Sequence, residues 1–194
     1  MEQDQDQHLR EIRVDGEDVY QGHFLRITRD IVQLPNGKHA AREYVRHPGA
    51  VVVLPILPDG RILMERQYRY PLQSVFTEFP AGKIDAGESS LVCARRELWE
   101  ETGYRADSWQ FVCRIHNAIA YSDEFLDLFL ARGLHAGERQ LDEEEFLDTC
   151  SMSLAELLQA VQTGQITDVK TVIGIFWLEK ILNGSWTLPA MPQP

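Results

Sequence analysis

Residues 82 to 104 read Gly82-Lys83-Ile84-Asp85-Ala86-Gly87-Glu88-Ser89-Ser90-Leu91-Val92-Cys93-Ala94-Arg95-Arg96-Glu97-Leu98-Trp99-Glu100-Glu101-Thr102-Gly103-Tyr104. On a helix of 3.6 residues per turn, Glu97, Glu100 and Glu101 lie three and four apart and project from one face. Like charges at that spacing repel, so a helix that gathers them needs a counter-ion. Hard oxygen donors suit Mg²⁺, or Mn²⁺, held together with phosphate oxygens of a substrate. The chemistry expected is metal-assisted attack at phosphorus. Ser89 or Ser90 can cap the helix and Gly103 can end it in the left-handed conformation. Leu91, Ala94 and Leu98 form an apolar stripe for the core, while Val92 and Trp99 lie on the reverse side, so the helix is expected to be sandwiched between two surfaces. Arg96 can tie down the carboxylates or hold the preceding loop by bidentate hydrogen bonding, and Gly82 and Gly87 frame that loop. A surface helix with a solvated acidic face is the alternative reading.

The spacing of Gly82, Glu88, Arg96-Glu97-Leu98, Glu100-Glu101, Gly103 and bulky Tyr104 resembles a complete Nudix box, the signature of Nudix hydrolases. The flanking stretches His47-Pro48-Gly49-Ala50-Val51-Val52-Val53, Arg66-Gln67-Tyr68-Arg69-Tyr70, Glu78-Phe79-Pro80-Ala81-Gly82 and Gly164-Gln165-Ile166-Thr167-Asp168 extend the resemblance to the ADP-ribose pyrophosphatase branch, over roughly residues 18 to 183. The resemblance implies hydrolysis of ADP-ribose or related nucleoside diphosphate sugars to a nucleoside monophosphate and a sugar phosphate, by a homodimer.

Composition agrees with an enzyme of one catalytic domain. The chain has 194 residues, 44% hydrophobic and 25% charged, enough for a sizeable core and short for two full domains. A formal net charge of −11 argues against nucleic acid or an anionic membrane as partner. It would repel a diphosphate too, unless bound cations reverse the local field. Cys93, Cys113 and Cys150 are odd in number and set in apolar surroundings, as reduced thiols of a cytoplasmic protein are. No apolar run approaches membrane length, and the polar start Met1-Glu2-Gln3-Asp4-Gln5-Asp6-Gln7 is unlike a signal peptide.

Along the chain, residues 1–8 are expected to form a disordered tail and 187–194 a loose C-terminal tail. Alternating segments at 10–15, 17–20, 24–34 and 39–46 predict an antiparallel β subdomain over 9–48, the last two joined at Asn36-Gly37 as a two-residue hairpin. A hydrolase domain follows over 49–186. Residues 50–57 and 61–69, turned at Asp59-Gly60, predict a second hairpin leading to 74–79 and the acidic helix. Strands are expected at 108–115, 124–132 and 145–152. Two helices are expected, from Leu154 to Thr163 with a Ser153/Glu156 capping box and from Asp168 to Asn183. This order fits an α/β/α sandwich, an α/β (α+β) fold with a mixed sheet, which is also the fold that the Nudix resemblance implies.

Diphosphate hydrolysis requires charge neutralisation on the phosphate oxygens and a water held in line and activated. Glu97 and Glu101 are the first-choice Mg²⁺ ligands, with Glu100 supporting. By resemblance, the Ala81 carbonyl is a further ligand and two or three ions assemble with substrate. The general base comes by resemblance from the acidic stretch Asp142-Glu143-Glu144-Glu145-Phe146. Alignment on the resuming strand puts Glu143 at the base position and Glu145 at a further metal position, with the register open by one. An ordinary solvated loop is the alternative there. Arg96 completes the catalytic set, and Glu88 either braces the helix or touches a metal through water. Arg42 and Arg69 match positions that hold phosphate or the terminal ribose, with surface ion pairing as the other reading. Lys83 and Glu124 match other substrate contacts, and Tyr20 or Phe24 can stack on the base.

One stretch departs from the branch. Its members commonly carry Ser-Pro-Gly shortly before Ser122-Asp123-Glu124, where this chain has Ala118-Ile119-Ala120, which leaves the sugar open. GDP-mannose and ADP-glucose are further candidates. Dinucleoside polyphosphates or capped RNA would use the same box. A module that only binds ADP-ribose would be expected to have lost box glutamates, and all are present.

Overall fold

A computed structural model describes residues 6–141 and 146–188. It divides into two compact units, Met1–His47 with Ala118–Glu124, and Pro48–Asn117 with Phe125–Pro194.

The first unit is a three-stranded antiparallel sheet in the order β1 (Ile12–Gln21), β2 (Arg26–Gln33), β3 (His39–Arg46). The two strands expected at 10–15 and 17–20 are one. Register shifts between Arg13 and Asp15 and between Asp18 and Tyr20 absorb extra residues as bulges, so the pattern breaks while the strand continues. The β2–β3 turn is not a two-residue loop. Leu34 N–H donates to Lys38 O (2.7 Å) and Gly37 N–H to Leu34 O (2.8 Å), leaving Pro35-Asn36-Gly37 as a three-residue loop. Pro35 presets the first corner, and Gly37 at φ +80° supplies the left-handed residue this turn requires. Residues 118–124 join this unit through the parallel Val45–Ser122 bridge and through Asp123, which accepts from His47 N–H (2.8 Å) and Arg46 (3.0 Å).

The second unit carries two sheets. One is four-stranded, in the order β7 (Ala81–Lys83), β4 (Ala50–Pro55), β9 (Leu126–Ala136), β8 (Tyr104–Ile115). Its β4–β9 pairing is parallel and the others are antiparallel. The other is antiparallel, in the order β10 (Leu147–Met152), β5 (Ile62–Arg69), β6 (Ser74–Glu78). All six residues of β4 are buried, because apolar side chains on both its faces meet a helix layer. Val51 and Val53 pack with Phe129, Ala131 and, from α1 (Ser90–Thr102), with Cys93, Ala94 and Leu98. Val52 and Leu54 face the other way, among Leu128, Leu130, Leu157 and Ala160 of α2 (Leu154–Gln162), and Ile175 and Leu178 of α3 (Val169–Leu182). The Ser153/Glu156 capping box forms as expected, and Asp168 caps α3. This is the sandwich with its mixed sheet.

The hairpin expected from 50–57 and 61–69 exists only at its tip. Leu57 and Gly60 close the Pro58-Asp59-Gly60 turn and Ile56 bridges Ile62. The strands then part into different sheets, because the two edges of β4 are already taken by β7 and β9.

Gly174 of α3 lies against the core where a Cβ would come within 2.7 Å of the Phe79 ring and 2.8 Å of Leu54. Gly174→Val is therefore expected to lower unfolding free energy by about 1–3 kcal/mol through overpacking, read as a lower urea midpoint with an unchanged slope.

Candidate active site

Helix α1 begins where Ser89 Oγ accepts from Val92 N–H (3.4 Å). It ends at Gly103, φ +77°, whose N–H donates to Trp99 O (2.8 Å). The expectation of a second surface over its reverse side is not met among the described residues. Val92 is 52% exposed, and Trp99 is covered by the Arg105 guanidinium stacked 4.6 Å from its ring centre. One apolar face, Cys93, Ala94 and Leu98, suffices to anchor the helix.

Arg96 organises the opposite side. Its Nε and Nη2 donate to the two oxygens of Glu88 (3.1 and 2.9 Å), and its Nη1 donates to Glu97 (2.7 Å) and Glu100 (3.0 Å). Nη2 also reaches the Lys83 carbonyl (3.1 Å), so the residue both ties down carboxylates and holds the loop. The hydrogen bonds to Glu88, then the charge of Glu97, drive the guanidinium pKa up. Hydrogen bonding from Arg96 holds the Glu88 carboxyl below the usual glutamate range. Cys93 stands beside this cluster, its thiol pushed up by burial and then by the charges of Glu97 and Glu88.

The remaining box acids meet the Ala81-Gly82 dipeptide. Glu101, 2% exposed, accepts from Ala81 N–H (3.1 Å). A Cβ on Gly82 would collide with the Glu97 carboxylate, so only glycine leaves room for that side chain. Among the described residues no three His, Cys, Asp or Glu side chains stand together as a ready-made metal cluster. The donor chemistry nonetheless fits Mg²⁺: hard carboxylate oxygens seated in a cradle that any larger residue at position 82 would fill.

Behind the dipeptide lies a charged group that the sequence reading missed. Glu78 accepts both Nε and Nη2 of Arg69 (2.8 Å each) and pairs with Lys170, which also bonds Asp168 (2.9 Å). Burial works to raise the Glu78 pKa, but Arg69 and Lys170 outweigh it and hold the carboxyl low. Phe79 N–H donates to Thr171 Oγ1 (3.3 Å), which donates to Asp168 (2.6 Å). The available signal was an acid ending a strand within Glu78-Phe79-Pro80-Ala81-Gly82, which burial obliges to find a counter-ion.

Other expected site residues lie as follows. Arg69 is bound to Glu78, and Lys83 is exposed in β7. In the first unit Arg42 pairs with Glu11 (2.8 Å). Phe24 meets His47 edge-on, 6.1 Å between centres, and His47 Nδ1 lies 3.7 Å from Glu124. Tyr20 is exposed. The divergent Ala118-Ile119-Ala120 closes into a turn in which Tyr121 N–H and Ser122 N–H both donate to Ala118 O. Glu143 and Glu145 lie outside the described residues.

Residues 45–171 match the family model of the NUDIX domain, and residues 11–45 match that of the nucleoside diphosphate sugar hydrolase N-terminal domain. The chain belongs to the Nudix family. It is 40% identical over 173 residues to the methanol dehydrogenase activator of Bacillus methanolicus, covering 88% of this chain and 94% of that protein. To the ADP-ribose pyrophosphatase of Bacillus subtilis (strain 168) it is 38% identical with the same coverage. The crystal structure of an ADP compounds hydrolase superposes with TM-score 0.82 at 25% identity, covering 91% of this chain and 96% of that one.

Arg96→Met is expected to destabilise the fold at neutral pH by releasing mutually repelling acids. Because Glu88 titrates below its ordinary value of 4.5, the Arg96 contribution is fully present above that value and lost as pH falls through the lowered one. Urea denaturation of both proteins between pH 7 and pH 3 should show the stability gap closing on acidification; a gap that widens contradicts the assignment.

Proposed function

We propose that this Nudix pyrophosphatase hydrolyses the diphosphate bond of ADP-ribose or a related nucleoside diphosphate sugar, releasing a nucleoside monophosphate and a sugar phosphate. The observation that carries the reading is the delivery of two box acids to one dipeptide, Glu97 against Gly82 and Glu101 onto Ala81 N–H. The match of residues 11–45 to the N-terminal domain of nucleoside diphosphate sugar hydrolases and the likeness to an ADP-ribose pyrophosphatase support the substrate class.

In this reading Glu97, Glu101 and the Ala81 carbonyl hold Mg²⁺, with Glu100 supporting and two or three ions present when substrate is bound. Such ions neutralise phosphate oxygens and make water more acidic. The chain's own part is to keep the acids aimed. Arg96 offsets the repulsion within the cluster and fixes Glu97 and Glu100 in place, so little reorganisation is left for the moment of reaction. Arg69 and Lys83 are the substrate contacts of the second unit. Arg42, Phe24 and Glu124 are those of the first, on the strength of the resemblance. Glu143 serves as general base and Glu145 as a further metal ligand on the same ground. The reading also takes the protein as a cytoplasmic homodimer.

The test is turnover with Mg²⁺ across ADP-ribose, ADP-glucose, GDP-mannose, a dinucleoside polyphosphate and capped RNA, with products identified by chromatography. Activity confined to the diphosphate sugars supports the proposal, and binding of ADP-ribose without turnover contradicts it. Glu101→Gln is expected to lower kcat by about 100-fold or more with circular dichroism and thermal midpoint close to those of the parent; near-normal rates at saturating Mg²⁺ would remove Glu101 from the mechanism.

A further inference from the structure

Glu78 is served by two cations of different exposure. The side chain of Glu78 is 3% exposed, that of Lys170 is 11%, and that of Arg69 is 40%. Lys170 reaches it from the first turn of α3, where Asp168 caps the helix and fixes the ammonium at 2.9 Å. Arg69 reaches it from the end of β5 with both nitrogens of its fork. Glu65, fully buried, stands directly across from Glu78 in the β5–β6 register. The charges of Glu65 and Glu101 also bear on Arg69. Arg69, the more exposed of the two cations, thus holds a buried carboxylate while its side chain still reaches solvent.

We propose that Lys170 is a positioning residue: as the standing counter-ion of Glu78, it frees the Arg69 guanidinium to engage the diphosphate of the substrate. This rests on the functional reading above, in which Arg69 contacts substrate. A buried carboxylate stripped of its partner is strongly destabilised, so a lone cation beside it is not released. With Lys170 in place, Glu78 keeps one charge-assisted partner when Arg69 turns outward. Without Lys170, Arg69 is the remaining cation against Glu78 and stays there. The first two turns of α3 also fix the chain that leads to Ala81, through Thr171 on Phe79 N–H and the contact of Gly174 with the Phe79 ring. Removal of the Lys170 charge alone should leave those two contacts standing, and therefore leave the arrangement at Ala81 and Glu101.

The experiment compares the parent with Lys170→Met and Lys170→Arg in two measurements. In steady-state hydrolysis of ADP-ribose with Mg²⁺, Lys170→Met should raise KM about tenfold while kcat changes by less than about threefold, and Lys170→Arg should restore KM. In nitrogen-15 spectra with Mg²⁺, the Arg69 Nε–H signal, assigned with Arg69→Lys, should shift when methylenediphosphonate binds to the parent and to Lys170→Arg. In Lys170→Met it should stay fixed. An unchanged KM with a parent-like signal shift overturns the proposal, as does a fall in kcat at constant KM. If the parent does not hydrolyse ADP-ribose, the substrate reading fails and the diphosphonate spectra alone decide the role of Lys170. Should Lys170→Met not fold, Lys170→Gln carries the same comparison.

Discussion

Four glutamates within fourteen residues, Glu88, Glu97, Glu100 and Glu101, impose the constraint on which the second unit's site depends. Three of them are settled on one guanidinium, that of Arg96. Arginine suits this place because its planar fork presents several donors in fixed directions and stays charged at any working pH. A lysine would offer one point of charge and could not span Glu88 and Glu97 with the same geometry. The fourth acid, Glu101, takes a backbone N–H instead, which ties the helix to the strand entering β7.

The rest of the unit keeps that helix at the right height. Cys93, Ala94 and Leu98 pin α1 to one face of the four-stranded sheet, while α2 and α3 cover the other. Residues 78–82 run between these layers and are held from both: Lys170 and Thr171 of α3 on Glu78 and Phe79, Glu101 of α1 on Ala81, and the β4 ladder through Val53 N–H to Pro80 O (2.8 Å). A short segment with so many directional bonds has little freedom. That is the condition for a backbone carbonyl and two carboxylates to serve as fixed donors.

Much of this was legible in the sequence because it is local. The caps of α1, the capping box of α2 and the start of α3 follow from side chains within three residues of the backbone they satisfy. Arg96 could be paired with its acids from helical spacing and one tight loop. Partnerships made across the fold were not legible. The parallel register of β4 on β9 joins residues more than seventy apart, and nothing in the apolar run 50–57 distinguishes that neighbour from β5. Lys170 and Glu78 are ninety-two apart and meet only once the sandwich closes. Val92 misled because an apolar residue on a helix suggests burial, whereas single exposed apolar side chains are common on protein surfaces. The Asn36-Gly37 pair gave the hairpin but not its length, since the preceding Pro35 shifts the turn by one residue.

The central claim is that Glu97 and Glu101 together hold divalent ions that grip a diphosphate. Electron paramagnetic resonance of Mn²⁺, titrated with a non-hydrolysable ADP-ribose analogue into the parent and the Glu97→Gln and Glu101→Gln proteins, measures this directly. The account predicts tightly bound Mn²⁺ in the parent that strengthens with the analogue and is lost in both variants. Equal Mn²⁺ binding in all three, or none in the parent, would contradict it.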